Sequence, residues 1–290
     1  QLIGTAVMAI RWVPDMGWEH GLYVSFFHAV SAFNNAGFSL FSNNLMNYRD
    51  DPIISLTIAG LLVLGGIGFT VVVDLVRNRR WRKLKLHSKL MLVMTPALLL
   101  LGTLMFWLLE HNNPATFGNA GPGGQLMAAF FQSATARTAG FNTVDIGQMV
   151  PASLLFMMML MFIGAGATST GGGIKVTTFA VVLLATRAFL TKRPHVTAFG
   201  RTLSPQIVTR SLAIIIVSVM VLMLAMFLLM LTESQPFDKI MFETVSAFAT
   251  VGLSTGITAS LSEPGKLILV LVMICGRLGP LTLALMLARP

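Results

Sequence analysis

Long apolar runs separated by short polar stretches set the pattern of this chain. Five of them, residues 53–76, 90–109, 153–188, 207–231 and 267–288, are each long enough to cross about 30 Å of hydrocarbon at about 1.5 Å per helical residue. The third is over-long and interrupted by glycines. A sixth, residues 1–10, is too short to span and lacks the basic start and small-residue cleavage site of a signal peptide. It reads as the end of a severed helix, so the chain is expected to be a fragment of a longer protein.

Within this pattern one unit recurs. Residues 28–39, 131–142 and 243–254 align on Gly37, Gly140 and Gly252. Each is followed by a polar stretch and then a proline, Pro52, Pro151 or Pro264, which suits the first turn of a new helix because its missing N–H is not needed there. Before each glycine lies a short apolar segment, 23–33, 126–136 or 240–248, too short to cross. The unit is therefore span, re-entrant half-helix, Gly-tipped loop, span. Backbone turns at that depth are too costly facing lipid, so the loops must be buried or line water.

Composition agrees with a membrane chain: 55% of the 290 residues are hydrophobic and only 11% charged. A soluble domain of this size has too little interior to hide so much apolar surface. The net charge of +9 raises nucleic-acid binding as a question, which its distribution answers. Arg77, Arg79, Arg80, Arg82, Lys83, Lys85 and Lys89 share one short inter-span loop, and Arg187, Lys192, Arg193 and Arg201 another. The intervening loops carry Asp50, Asp51, Glu110, Asp145, Glu233, Asp238, Glu243 and Glu263. That alternation follows the positive-inside rule and puts all three Gly-tipped loops outside; loops this short form no nucleic-acid surface. The single cysteine, Cys275, lies in a span and supports neither a disulfide framework nor a thiolate metal site.

A half-helix entering from outside aims its C-terminal carbonyl dipoles inward and favours a cation there. The stretches that follow are Asn34-Asn35-Ala36-Gly37, Arg137-Thr138-Ala139-Gly140 and Ala249-Thr250-Val251-Gly252. Glycine adopts positive φ and lets its carbonyl face an axis, and rings of such carbonyls replace the hydration shell of a potassium ion. One such loop would read more simply as a turn or a helix-packing contact; three aligned copies point to an ion filter. Arg137 is the exception, since a positive charge lining a cation filter defeats it. It is expected to point away and brace the loop, with Asp145 as a candidate partner.

At residues 31–41, 135–147 and 246–258 the chain resembles the second, third and fourth filter repeats of the Trk/Ktr/HKT potassium transporters. The resemblance covers essentially the whole chain. It implies an all-α transmembrane fold of repeated span–pore-helix–span hairpins with pseudo-fourfold pore symmetry, three of the four repeats being present. The chain would then divide into a second repeat (1–76, first helix truncated), a cytoplasmic basic loop (77–89), a third repeat with a broken second helix (90–190), a cytoplasmic loop (191–204) and a fourth repeat (205–290).

Residues 164–175 interrupt the over-long third span with Gly164, Gly166, Gly171, Gly172 and Gly173, beside Ser169 and Thr170, too glycine-rich for a stable helix. A kink at a packing contact is one reading. A nucleotide P-loop is excluded by the missing Gly-Lys-Ser/Thr ending. The resemblance implies an intramembrane gating loop below the filter. Lys175 fits either snorkelling to the inner surface or lining the pore. Arg277, in the last span, costs about 2.5–3.5 kcal/mol to bury in lipid, so it should face a polar cavity. There it either packs on loop carbonyls or repels cations and helps hold the gate shut, the role the resemblance implies.

Residues 276–282 and 175–179 resemble the Ktr membrane subunit more than Trk. The resemblance implies a homodimer in the lipid of the inner (plasma) membrane, seated on a cytosolic nucleotide-binding RCK-type ring. No cofactor is implied in this chain beyond K+, with Na+ as a candidate coupling or transported ion. The leading function is a passive potassium-translocating subunit; a sodium- or proton-coupled symporter shares its scaffold. Neither a Ser/His/Asp set nor paired intramembrane carboxylates support an enzyme, and three intact glycines argue against a non-conducting scaffold.

Overall fold

The computed structural model describes residues 1–169 and 171–279, and its architecture is all-α. Hairpin A runs through α1 (Leu2–Met16), α2 (Trp18–Phe33), α3 (Pro52–Ile67) and α4 (Phe69–Arg77). Hairpin B is α5 (Leu86–Glu110), α6 (Pro122–Thr135), α7 (Pro151–Phe162) and α8 (Val176–Leu190), and hairpin C is α9 (Pro205–Thr232), α10 (Phe237–Phe248) and α11 (Glu263–Leu278). A two-residue antiparallel pair, Thr197–Ala198 with Arg201–Thr202, tightens the loop between α8 and α9.

Helices α5 and α9 are each long and apolar enough to cross a membrane alone, yet only 33% and 22% of their most apolar windows are buried. Leu100, Leu101 and Leu104 on α5, and Met220, Met223 and Phe227 on α9, face outward. Helices apolar on their exposed face have lipid as their solvent, and the protein is membrane-embedded.

The re-entrant helices α2, α6 and α10 have 16, 14 and 12 residues, too few to span. They begin a few residues before the apolar segments read from sequence. Their ends lie deep: α10 buries every residue from Phe242 onward, and α6 every residue from Phe131. Each packs within its own hairpin, and α6 also packs on α3 and α10 on α7, so the hairpins follow one another around a centre.

Local chemistry sets where the second helices start. Pro52 and Pro151 open α3 and α7, and Pro264 is the second residue of α11. Asp51 caps α3 by accepting from the N–H groups of Ile53 and Ile54 at 3.0 and 3.2 Å. Loop carboxylates then tie first helices to second ones: Arg11 of α1 meets Asp51 at 2.7 Å, and Glu110 of α5 accepts from the Val150 N–H at 2.9 Å. Glu233, just past α9, accepts from the N–H and hydroxyl of Ser262. The acidic loops thus act as clamps between helices.

One span departs from the sequence reading. Residues 53–76 are not a continuous helix; the chain turns by 85° between α3 and α4 at Gly68, whose φ is 97°. Helix α11 likewise stops at Gly279, with φ of 86°, placing Arg277 in its last turn. The rest of the 267–288 run, from residue 280 on, lies outside the described residues. All three second helices therefore stop after 12 to 16 residues, because a left-handed glycine, or in hairpin B a glycine-rich loop, ends the helical hydrogen-bond ladder.

Candidate functional site

The ends of α2 and α10 share one geometry. In hairpin A the Ala36 N–H donates to the Ser31 carbonyl at 2.9 Å and the Asn35 N–H to Ala32 at 3.0 Å. In hairpin C the Val251 and Thr250 N–H groups repeat this to Ser246 and Ala247 at 2.9 and 3.0 Å. Both are Schellman caps, in which the residue past the helix turns left-handed. Here that residue is not glycine but Asn35 (φ 51°) or Thr250 (φ 50°), and hairpin B puts Thr138 (φ 70°) at the aligned place. A β-branched residue in this region is a backbone outlier, and such strain persists only where the surroundings over-determine it. Two residues on, Gly37, Gly140 and Gly252 are left-handed too, with φ of 72°, 82° and 92°.

The caps use up N–H donors and leave carbonyls free. Among the described residues, the carbonyls of Ala36, Gly37, Thr138, Ala139, Gly140, Thr250, Val251 and Gly252 accept no hydrogen bond. The next carbonyl in each loop is tied back to its helix by a hydroxyl: Ser31 to Phe38 (2.8 Å), Thr135 to Phe141 (2.5 Å) and Ser246 to Leu253 (2.6 Å). Nine residues before each glycine a second brace acts in hairpins A and C. His28 Nε2 lies 3.0 Å from the Ser39 hydroxyl, and the Glu243 carboxylate accepts from Ser254, the Thr255 N–H and Thr258 at 2.5, 3.1 and 2.9 Å.

The three loops meet. A Cβ built on Gly37 would lie 2.5 Å from the Ala139 carbonyl oxygen, and one on Gly140 would fall on that of Val251. On Gly252 it would meet only the Gly140 Cα, at 3.8 Å. The loops therefore stack side by side in the order A, B, C around one axis. Between C and A a cleft of ≈ 270 Å³ opens, lined by Ala36 and Phe38 on one side and by Thr250, Val251, Gly252 and Leu253 on the other.

The position three before each glycine differs between loops. Asn34 is exposed and its amide folds back onto the Val30 carbonyl at 2.9 Å, while Ala249 is buried. Arg137 is buried and reaches back to α5, donating to the carbonyl and hydroxyl of Thr95 at 3.4 and 3.5 Å, with Nε unpartnered. Asp145 is not its partner; that carboxylate caps the turn at Gly147 at 2.9 Å.

Beneath the loops runs the chain between α7 and α8. Its two ends pair as parallel backbone at Ile163 and Ile174, with the Gly164 N–H donating to the Ile174 carbonyl at 2.9 Å. Its outer edge is fastened to the α3–α4 corner: the Gly166 N–H donates to Gly66 at 2.9 Å, and the Thr168 and Thr70 hydroxyls lie 2.9 Å apart. Its inner edge touches the loops. A Cβ on Gly171 would fall on the Thr138 hydroxyl, one on Gly172 on that of Thr250, and one on Gly173 would lie 3.4 Å from the Ala249 Cβ. Lys175 turns back onto the same segment, its Nζ donating to the Gly171 carbonyl at 2.6 Å. Arg277 follows Gly276, which packs on the Phe248 backbone at the end of α10. Thr170 lies outside the described residues.

The sequence model of the family described as TrkH, cation transport protein, matches residues 10–290. The chain belongs to that family. It is 59% identical to the Ktr system potassium uptake protein B of Vibrio alginolyticus, an alignment covering 100% of this chain and 64% of that protein. It is 45% identical to the Ktr system potassium uptake protein B of Bacillus subtilis, covering 100% and 65%. The crystal structure of the potassium transporter TrkH from Vibrio parahaemolyticus superposes with a TM-score of 0.80 over 100% of this chain and 62% of that one, at 21% identity, and shares the fold. This TrkH-family chain spans just under two thirds of the length of the relatives it matches.

Sequence reasoning found the glycines and missed what surrounds them. The left-handed Asn35, Thr138 and Thr250 carry no glycine signal, and the α3–α4 corner hides inside an apolar run although Gly65, Gly66 and Gly68 mark it. The hydroxyl latches were findable, since Ser31 and Ser246 hold aligned places in two repeats.

Proposed function

We propose that this chain forms the filter and gate region of a potassium-translocating membrane subunit of a Ktr-type uptake system. The observation that carries this reading is the interlock of Gly37, Gly140 and Gly252 about one axis, with unpaired carbonyls beside them. Unpaired carbonyls at the C-terminal ends of three half-helices make a site for a weakly hydrated monovalent cation, not for an anion or an apolar ligand. Asn34 to Gly37, Arg137 to Gly140 and Ala249 to Gly252 are the filter segments, with Arg137 contributing backbone alone. A fourth segment, from the part of the protein corresponding to the relatives' further length, closes the cleft between hairpins C and A.

The segment from Gly164 to Lys175 is the gate, with Arg277 adding positive charge below the filter. The basic loops lie in the cytosol and the protein in the plasma membrane. The assembly is a homodimer on a cytosolic nucleotide-binding ring of RCK type, K+ being the transported ion and Na+ a coupling or competing one. The test is rubidium flux by the full-length protein in lipid vesicles. Gly140→Ser should erase potassium-over-sodium preference, and unchanged preference would overturn the filter assignment. Flux that follows the rubidium gradient in either direction without added sodium or protons supports the passive reading, and obligatory coupling supports the symporter.

A further inference from the structure

Helix α4 leaves the corner at Gly68 at 85° to α3 and runs into the basic stretch that begins at Arg77. A helix set across its own span runs along the membrane boundary instead of through it. Its surface fits that course: Phe69, Val72, Val73 and Val76 are exposed, while Val71 and Asp74 are buried. Residues four apart share a helix face, so Phe69, Val73 and Arg77 form one stripe, apolar at its start and cationic at its end. Trp81, in the loop that follows, is 47% exposed and of a residue type that collects where acyl chains meet headgroups. The chain then folds back over the stripe. The Asp74 carboxylate accepts from the Asn78 amide at 2.9 Å, the Lys85 N–H at 2.9 Å and the Ser88 hydroxyl at 2.5 Å. With Lys85 held there, it and Arg77 line one cavity of ≈ 350 Å³, together with Phe69, Val73 and Asn78. Asp74 also lines it, but three internal donors occupy its oxygens, and neither Arg77 nor Lys85 makes an ion pair among the described residues.

We propose that this cavity binds an anionic phospholipid of the phosphatidylglycerol class, with its phosphate between Arg77 and Lys85 and an acyl chain along Phe69 and Val73. The positive-inside rule accounts for the number of basic residues in this loop. It does not account for a cavity that joins two of them to an apolar stripe, which is the pattern of a lipid: a charged head on a hydrocarbon tail. A free phosphate would use the cations and leave Phe69 and Val73 bare. A zwitterionic lipid would bring its own ammonium toward the same two cations. An acidic protein segment would match the charge but would have to cover a helix face already suited to hydrocarbon. Bound lipid offsets the repulsion between Arg77 and Lys85 and fastens α4 to the membrane surface.

The test uses the full-length protein in phosphatidylcholine vesicles. A bimane fluorophore at Trp81→Cys, in a background without other cysteines, reports quenching by a minor lipid fraction that carries a nitroxide high on one acyl chain. Nitroxide-labelled phosphatidylglycerol should quench at a several-fold lower mole fraction than labelled phosphatidylcholine, and unlabelled phosphatidylglycerol should relieve the quenching. Arg77→Gln/Lys85→Gln should raise the mole fraction for half-quenching on the order of tenfold. Arg79→Gln/Arg82→Gln removes the same charge from the same loop outside the cavity, and should raise it by roughly threefold or less. If the first double variant aggregates, Lys85→Gln alone should shift the curve in the same direction by less. Equal losses in the two double variants would mean diffuse attraction and overturn the site. Displacement of the lipid by inorganic phosphate, with Phe69→Ser/Val73→Ser without effect, would make it a simple anion site and overturn the lipid. Equal quenching by the two labelled lipids, with Arg77→Gln/Lys85→Gln instead weakening co-purification of the cytosolic ring, would make this face a protein contact and overturn it too.

Discussion

Hairpins A and C end their re-entrant helices alike, and hairpin B reaches the same end differently. In A and C a serine two residues before the helix end, Ser31 or Ser246, accepts through its carbonyl from the Schellman cap and donates through its hydroxyl to the carbonyl of the residue after the glycine. Hairpin B has Ala134 at the aligned place, and Thr135 takes over the latch one residue later. Its cap changes with it: the Ala139 N–H donates to Thr135 rather than to the residue before it. Even so, Thr138 and Gly140 keep the left-handed φ of their counterparts. What is held constant is the direction of the backbone at two places per loop; the hydrogen bonds that hold it there differ.

The sharpest way to break the equivalence is at the glycines. Gly140→Ala combines a φ that alanine avoids with a Cβ on the Val251 carbonyl, so selective rubidium uptake should fall by roughly tenfold or more. Gly37→Ala, aimed at Ala139, should behave similarly. A Gly140→Ala variant with normal selectivity would show that the loops do not meet as described.

The latches come next. Removing the hydroxyl in Ser246→Ala or Thr135→Ala leaves a buried carbonyl unpaired and should cost about 1–3 kcal/mol, read from the unfolding midpoint in detergent. Moving the hydroxyl in Ala134→Ser/Thr135→Ala should not restore hairpin B, because its latch spans six residues where those of A and C span seven. Full restoration would mean that the offset cap is incidental.

Arg137 separates hairpin B from the others a second way. Its guanidinium is buried on long bonds to Thr95 and faces no carboxylate among the described residues. A poorly paired buried charge costs more desolvation than it recovers. Arg137→Met should therefore raise the unfolding temperature by about 2–4 °C, whereas Asn34→Ala, at the exposed aligned place, should leave it unchanged. A lower temperature for Arg137→Met would make the arginine a structural brace.

The smallest effect expected is at the outer clamps. Hydrogen bonds from Ser262 hold the Glu233 carboxyl below the usual carboxylate range. A carboxylate depressed on folding adds stability that is complete above its unfolded pKa and lost as pH falls through the lower folded value. Thermal stability of the parent should thus fall more steeply with acid than that of Glu233→Gln, and parallel curves would remove the clamp from the account.

Much of the molecule was legible along the chain because lipid imposes simple rules. Span length and three aligned glycines are local properties, and they mark the hairpins and the Gly-tipped loops. The opening prolines were equally plain, since proline fits one part of a helix. The corner at Gly68 was not, because an apolar run of sufficient length reads as a span whatever its internal direction. Charge and nearness in sequence make Asp145 a candidate partner of Arg137, but in the fold Arg137 donates to Thr95 and Asp145 accepts from the Gly147 N–H.

The sequence by itself determined that this is a membrane protein of repeated hairpins tipped by glycine, for hydrophobic length and glycine's lack of a Cβ act without reference to distant residues. Only the tertiary structure decided that Asn35, Thr138 and Thr250 turn left-handed, that the loops interlock, and that Gly171 and Gly172 press against two threonine hydroxyls. Those features depend on backbones from separate hairpins competing for the same few ångströms, and no single stretch of the chain carries that information.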